Sequence, residues 1–143
     1  MEKENYFISI IGTQHYEDDS GEIKLDTVGS YEIIDGVRYI SYKEYEDGNP
    51  KISNIARLKV ESNNTITMSK DNTSTLLILE KGHRHNCLYD TGEGKINLGV
   101  FTNEFINELD DCGGKLQVNY TLDVNSAVAS RNELKITIKS INS

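Results

Sequence analysis

The stretch Leu116-Gln117-Val118-Asn119-Tyr120-Thr121-Leu122-Asp123-Val124 alternates apolar and polar residues without a break. A β-strand sends successive side chains to opposite faces, so a period of two marks a strand with one buried and one wetted side. The inward set read from this stretch is Leu116, Val118, Tyr120, Leu122 and Val124. The same alternation recurs in Leu134-Lys135-Ile136-Thr137-Ile138-Lys139 and precedes both in Ile96-Asn97-Leu98-Gly99-Val100.

Working outward, turn-forming residues punctuate the chain at short intervals. Asp18-Asp19-Ser20-Gly21, Asp35-Gly36, Asp47-Gly48-Asn49-Pro50, Asn63-Asn64, Asp71-Asn72, Lys81-Gly82, Gly92-Glu93-Gly94, Asp111-Cys112-Gly113-Gly114 and Ser130-Arg131-Asn132 all qualify. Gly, Asn and Asp accept the positive φ that tight hairpins require. Between them lie runs rich in Ile, Val, Thr and Tyr, which suit a pleated surface. Strands are expected near 6–15, 22–34, 37–46, 55–62, 65–70, 75–80, 83–91, 95–102, 115–124 and 133–140. The segment 103–109 fits either one helical turn or a bent continuation of the preceding strand, so at most one short helix is expected.

Ten short strands joined by hairpin-length turns make an antiparallel meander, because parallel sheets need long crossovers. Such a meander disposes of its edges by closing into a barrel or folding into a sandwich. The chain has no Trp for an immunoglobulin-like Cys-Trp-Cys core, which favours the barrel. The fold class expected is all-β: a single up-and-down antiparallel barrel over 1–143, with loosely held ends at 1–5 and 141–143. Two segments carry large residues on both faces, Tyr6 to Ile11 and Val37 to Tyr45. A two-faced strand calls for cover on its outer side by a terminus, a loop or a second subunit.

Composition narrows the function classes. The net charge is −8, from 23 acidic and 15 basic residues, which opposes binding to nucleic acid or to an anionic membrane surface. The chain shows no apolar run of membrane-spanning length and no leader-like start, so the cytoplasm is the expected location. Two cysteines, Cys87 and Cys112, do not form a disulfide framework, and both are expected to be reduced there.

The order Gly29-Ser30-Tyr31-Glu32-Ile33-Ile34-Asp35-Gly36-Val37-Arg38-Tyr39-Ile40-Ser41-Tyr42, then Tyr89-Asp90-Thr91-Gly92-Glu93-Gly94, then Gly114 to Leu122, closing with Asn132-Glu133-Leu134-Lys135-Ile136, resembles the YwiB-like family. These are small Firmicute proteins grouped under a domain of unknown function. The resemblance runs from about Phe7 to Lys139. It implies a closed antiparallel barrel related to the calycin and lipocalin barrels, with no established activity and no catalytic residues to carry over. The run His83-Arg84-His85-Asn86-Cys87 is not a feature of that resemblance.

Three places hold candidate chemistry. Tyr31, Tyr39, Tyr42, Tyr89 and Tyr120 fall in expected strands, and with Arg38 they are candidates to line a barrel pocket for a small apolar or aromatic molecule. The competing reading makes them core packing with hydroxyls at the rim. His83, His85 and Cys87 are the candidate metal ligands, since imidazole and thiolate suit zinc or copper. Ligands two apart on one strand are separated by roughly 6.5–7 Å, which is awkward for a compact site, so the segment reads first as an exposed polar stretch leaving the Gly82 turn and only second as a metal site. Gly92-Glu93-Gly94 lacks the following helix of a phosphate loop and reads as a turn.

No nucleophile elbow and no His-Glu-x-x-His motif is present, and no cofactor is called for. The leading expectation is a non-enzymatic barrel that binds a small molecule. The alternative is a protein-interaction factor working as a homodimer or with a partner, and the third is a metal protein or enzyme.

Overall fold

Ten strands follow one another in a computed structural model that describes residues 5–45, 53–61, 64–90, 93–124 and 127–141. They are β1 (Tyr6–His15), β2 (Ser20–Ile34), β3 (Val37–Tyr45), β4 (Ser53–Glu61) and β5 (Thr65–Lys70), then β6 (Leu76–Glu80), β7 (Arg84–Asp90), β8 (Lys95–Asp110), β9 (Gly113–Val124) and β10 (Ala127–Ser140). Every strand pairs antiparallel with its chain neighbours, and β1 pairs with β10, so the sheet closes into a barrel. The all-β up-and-down barrel expected from the alternation is the fold observed. The expected turn Asp47-Gly48-Asn49-Pro50, together with Asn63, Gly92, the Tyr45 side chain and most of both chain ends, lies outside the described residues. Where the ends are described, the Ile141 N–H donates to the Asn5 carbonyl at 3.0 Å and extends the β1–β10 ladder by one step.

Local chemistry explains the tightest connection. Asp35 and Gly36 join β2 to β3 with φ of 52° and 80°. A two-residue loop with both φ positive matches the right-handed twist of the flanking strands. At Gly29, inside β2, an added Cβ would strike the Ser41 carbonyl and the Ile8 side chain. Only glycine lets β2 and β3 approach there.

The core follows the alternation. Leu116 and Val118 on β9 meet Ile136 and Leu134 on β10, and Ile138 and Ile136 meet Ile8 and Ile10 on β1. The other walls add Ile40, Leu58, Val60, Ile66, Leu79 and Val100. At the end of β9 burial departs from parity, although the facing does not. Val124 is exposed, whereas Asp123, of the opposite parity, is buried.

Asn103 to Leu109 is strand, not helix: β8 runs on to Asp110. A bulge between Thr102 and Glu104 adds one residue and switches the inward set from even to odd numbers. Val100 and Thr102 are therefore buried before it, and Phe105 and Leu109 after it. Without that residue, Phe105 and Leu109 look out of phase, which is why the sequence admitted a helix. Ser130-Arg131-Asn132, expected as a turn, lies inside β10, where a second bulge between Val128 and Ser130 shifts the register against β9. Thr65, opposite in parity to the inward Ile66 and Met68, is buried as well.

Candidate functional site

The meander gives the barrel two different ends. One carries the start of β1, the end of β10 and the β2–β3, β4–β5, β6–β7 and β8–β9 connections, and its described side chains close it. The Tyr31 hydroxyl donates to the Asp110 carbonyl at 2.6 Å. Its ring meets Tyr6 edge to face, with centroids 5.4 Å apart. Phe105 and Leu109 complete the plug. Burial raises the Tyr31 hydroxyl above the ordinary tyrosine value despite the opposing pull of the Arg38 guanidinium beside it. Arg38 shares the inner face with Ile40, and its buried Nε has no hydrogen-bond partner.

At the other end the inner face is wetted among the described residues. From Ser20 to Val28, β2 pairs with β1 but with no described residue of β3, because the β2–β3 ladder begins at Gly29. Ile23 pairs with Gly12, which pairs in turn with the core residue Leu134, so the alternation places Ile23 on the inner wall. It is nevertheless 66% exposed. Ile96, on the inner parity of β8 with Leu98 and Val100, is 42% exposed. Two large apolar side chains of inward parity are therefore wetted at this end.

Below this mouth the wall turns polar. Thr102 pairs with Tyr120, and Tyr120 with Asn132, so three side chains stand at one level on β8, β9 and β10. Thr102 and Asn132 are almost fully buried, and neither Thr102 Oγ1 nor Asn132 Oδ1 has a hydrogen-bond partner. Asn132 Nδ2 donates to Ser130 Oγ at 3.0 Å. Burial raises the Tyr120 hydroxyl above its ordinary value, so it stays neutral. On β3, Tyr42 is raised further, first by burial and then by the Glu44 carboxylate. Glu44 is paired with Lys70 at 3.3 Å, so that charge is compensated locally.

The structure thus brings Tyr42, Tyr89 and Tyr120 to the inner wall on the wetted side, and leaves Tyr31 and Arg38 inside the closed end. Tyr39 alternates with Ile40 and faces outward, bordering a surface depression with Glu32, Arg57 and Lys59. The six expected pocket residues do not form one site. Thr102, Ser130 and Asn132 were missed, although a signal was present. Asn132 shares parity with Leu134 and Ile136, and Thr102 with Leu98 and Val100.

The three expected metal ligands part company. His83 sits in the turn before β7 and is exposed, with its N–H on the Glu80 carbonyl at 3.0 Å. The His85 ring contacts Glu80 Oε1 at 2.8 Å. Cys87 is buried and its Sγ accepts the Ile78 N–H at 3.3 Å. Among the described residues no group of three or more His, Cys, Asp or Glu is arranged to hold a metal ion. The turn that precedes β7 takes His83 off the strand on which all three were to share a face.

A family model described as a domain of unknown function (DUF1934) matches residues 8–136. The chain belongs to this family. The match spans β1 to β10 and includes both the closed end and the polar row. The fold is also similar to the crystal structure of ywiB protein from Bacillus subtilis, with a TM-score of 0.82 and 18% identity over 97% of this chain and 94% of that one. At that identity the likeness speaks to the fold. No curated protein matches the chain.

Proposed function

We propose that this DUF1934 barrel is a binding protein that takes a small, largely apolar or aromatic molecule through its open end and does not transform it. The observation that carries this reading is the wetting of Ile23 and Ile96 on the inner wall at one end, while the other end is plugged by Tyr6, Tyr31, Phe105 and Leu109. Barrels of eight to ten strands, the lipocalin-like ones included, leave room for one small ligand at such a mouth. The polar residues of the inner face, Thr102, Tyr120 and Asn132, include no general base near neutral pH, which supports binding without chemistry. The same reading keeps the protein in the cytoplasm, where the free Cys87 and Cys112 stay reduced.

Native mass spectrometry of protein isolated from its own cells tests this. The expected result is a retained small organic mass that is lost when Ile23→Glu and Ile96→Glu are combined. Protein of bare chain mass, or a retained mass indifferent to both substitutions, would sink the reading.

A second reading has its own observation. Phe7 and Val28 stand directly opposite on the outer face of β1 and β2, and both are exposed. This two-faced segment would serve a homodimer. Sedimentation of the wild type and of Phe7→Ser decides it: a dimer that Phe7→Ser dissociates supports the reading, and a monomer at all concentrations ends it.

A further inference from the structure

We propose that the edge of β2 from Ser20 to Asp26 docks a second copy of this chain, strand to strand, in an antiparallel β2–β2 ladder with Ile23 on its twofold axis. On one side this segment pairs with β1 throughout, from Ser20 with His15 to Asp26 with Ser9. On the other side the β2–β3 ladder begins only at Gly29, and Lys43, Glu44 and Tyr45, which would continue it, pair with β4 instead. Ser20 to Lys24 are exposed one after another, whichever face they belong to, so among the described residues nothing covers this strand. A free strand edge presents a row of N–H and C=O groups that templates a further strand.

One hydrogen bond fixes which groups face that edge. The Ile141 N–H donates to the Asn5 carbonyl, so the odd residues of β1 bond to β10 and its even residues bond to β2. The partners of those even residues on β2 are odd, from Gly21 to Gly29. Ser20, Glu22, Lys24 and Asp26 therefore aim their N–H and C=O groups away from β1, out of the edge. Their side chains share the outer face of the barrel, whereas Ile23 and Leu25 belong to the inner face, opposite Gly12 and Ile10.

Charge selects the occupant. Laid antiparallel on its own copy with Ile23 on the axis, the edge sets Glu22 opposite the partner's Lys24 and Ser20 opposite the partner's Asp26, and symmetry repeats both pairs. Each pair joins even residues, so each exchanges backbone hydrogen bonds. Ile23 meets its own copy at the closer, non-bonded position, which covers a side chain 66% exposed. The contact of Lys24 with Glu22 of its own chain, at 3.5 Å, is exposed and easily exchanged. Neighbouring registers fail. An axis through Lys24 sets Lys24 against Lys24 and Glu22 against Asp26, and an axis through Leu25 carries the partner's Gly21 onto Gly29, where β3 already holds the edge. With Ile23 on the axis the partner strand starts at Ser20, opposite Asp26, and stops short of β3. This contact depends on neither reading above and lies apart from the Phe7 surface.

Sedimentation equilibrium of the full chain and its charge variants tests the ladder. The wild type is expected to dimerise. Glu22→Lys and Lys24→Glu each place like charges opposite one another on both sides of the axis, so either alone should weaken dimerisation by at least about tenfold. An equal mixture of the two variants makes every pair opposite in charge again and should recover the dimer, as should the chain carrying both substitutions. Phe7→Ser should leave this dimer intact. In a Cys112→Ser background, Ile23→Cys should give a disulfide-linked dimer on mild oxidation, because the residue faces its own copy. A dimer indifferent to both single reversals, or single variants that stay monomeric when mixed, overturns the proposal. A monomeric wild type overturns it too and leaves the edge to a strand from a different protein.

Discussion

Arg84 and Asp123 grip each other across a glycine. Nε meets Oδ2 at 3.0 Å and Nη2 meets Oδ1 at 2.7 Å, from β7 to β9, over the backbone of Gly99 on the intervening strand. The Arg84 Nη1 also donates to Asn86 Oδ1 at 3.0 Å. A Cβ at residue 99 would strike both the guanidinium and the carboxylate. This two-pronged bond on the outer face accounts for the burial of Asp123, an outward residue of β9.

Gly99→Val should therefore destabilise the barrel by about 1–3 kcal/mol, the usual cost of forcing atoms into an occupied space. Urea unfolding measures it. In an Arg84→Ala background the cost of the same substitution should shrink, because the two residues compete for one volume. Equal costs in both backgrounds would show that Arg84 does not lie over Gly99.

Tyr31→Phe removes the hydroxyl that reaches the Asp110 carbonyl while leaving the edge-to-face contact with Tyr6. The expected loss is about 1 kcal/mol, with faster hydrogen exchange confined to the 108–114 end of the β8–β9 hairpin. A loss spread evenly over the barrel would contradict the role given to Tyr31 in fastening the closed end.

Stability should fall at alkaline pH. Burial raises Tyr31, Tyr42 and Tyr120 above the tyrosine value of 10.0, and burial raises the Cys87 thiol above its ordinary value as well. In each case the unfolded chain loses its proton first as pH rises, so the stabilisation is fully present below the unfolded value and is lost above it. These groups leave stability flat around neutrality and lower it from about pH 9 upward. Thermal unfolding from pH 7 to pH 11 should show this fall, and Tyr42→Phe should make it shallower. An unchanged slope in Tyr42→Phe would mean that Tyr42 is solvated.

The seam between β6 and β7 is held differently from the rest of the wall. Its described pairing is Leu76 with Leu88 and, at the turn, Glu80 with His83. Side chains supply the remaining links: Ile78 N–H to Cys87 Sγ, Asp90 N–H to Thr75 Oγ1 and Ser74 N–H to the Asp90 carboxylate. Sulfur is a weak acceptor, so the Ile78 amide should exchange faster than the amides of Val118 or Ile136. Cys87→Ala should accelerate it further, and protection of Ile78 equal to that of Val118 would contradict a weak seam. Iodoacetamide should label the exposed Cys112 in the native protein and Cys87 only after unfolding.

Much of the fold was legible in the chain. Alternation along Leu116 to Val124 and along Leu134 to Lys139 depends only on which side of a strand each residue occupies, so it survives without tertiary information. Asp35-Gly36 was legible for the same reason, since its backbone preference is local. The candidate site was legible only in part. Tyr42, Tyr89 and Tyr120 were named, but Tyr39 was grouped with them although its parity opposes that of Tyr42 through Ile40. Asn132 was read as a turn residue because Ser-Arg-Asn looks like one, and the pairing of β10 with β9 overrode that local preference.

By itself the sequence determined ten strands, their antiparallel succession and most of the inward set, because period and turn chemistry are properties of neighbouring residues. Tertiary structure alone decided the rest. The two bulges shifted the parity of β8 and β10, and the barrel ends became unequal, one plugged by Tyr31 and Phe105 and one wetted at Ile23. Thr102, Tyr120 and Asn132 came to one level only through register between strands, and Asp123 was buried only because Arg84 reaches it over Gly99. These relations join residues from 12 to 39 positions apart in the chain, and closure of the sheet, not local preference, brings them together.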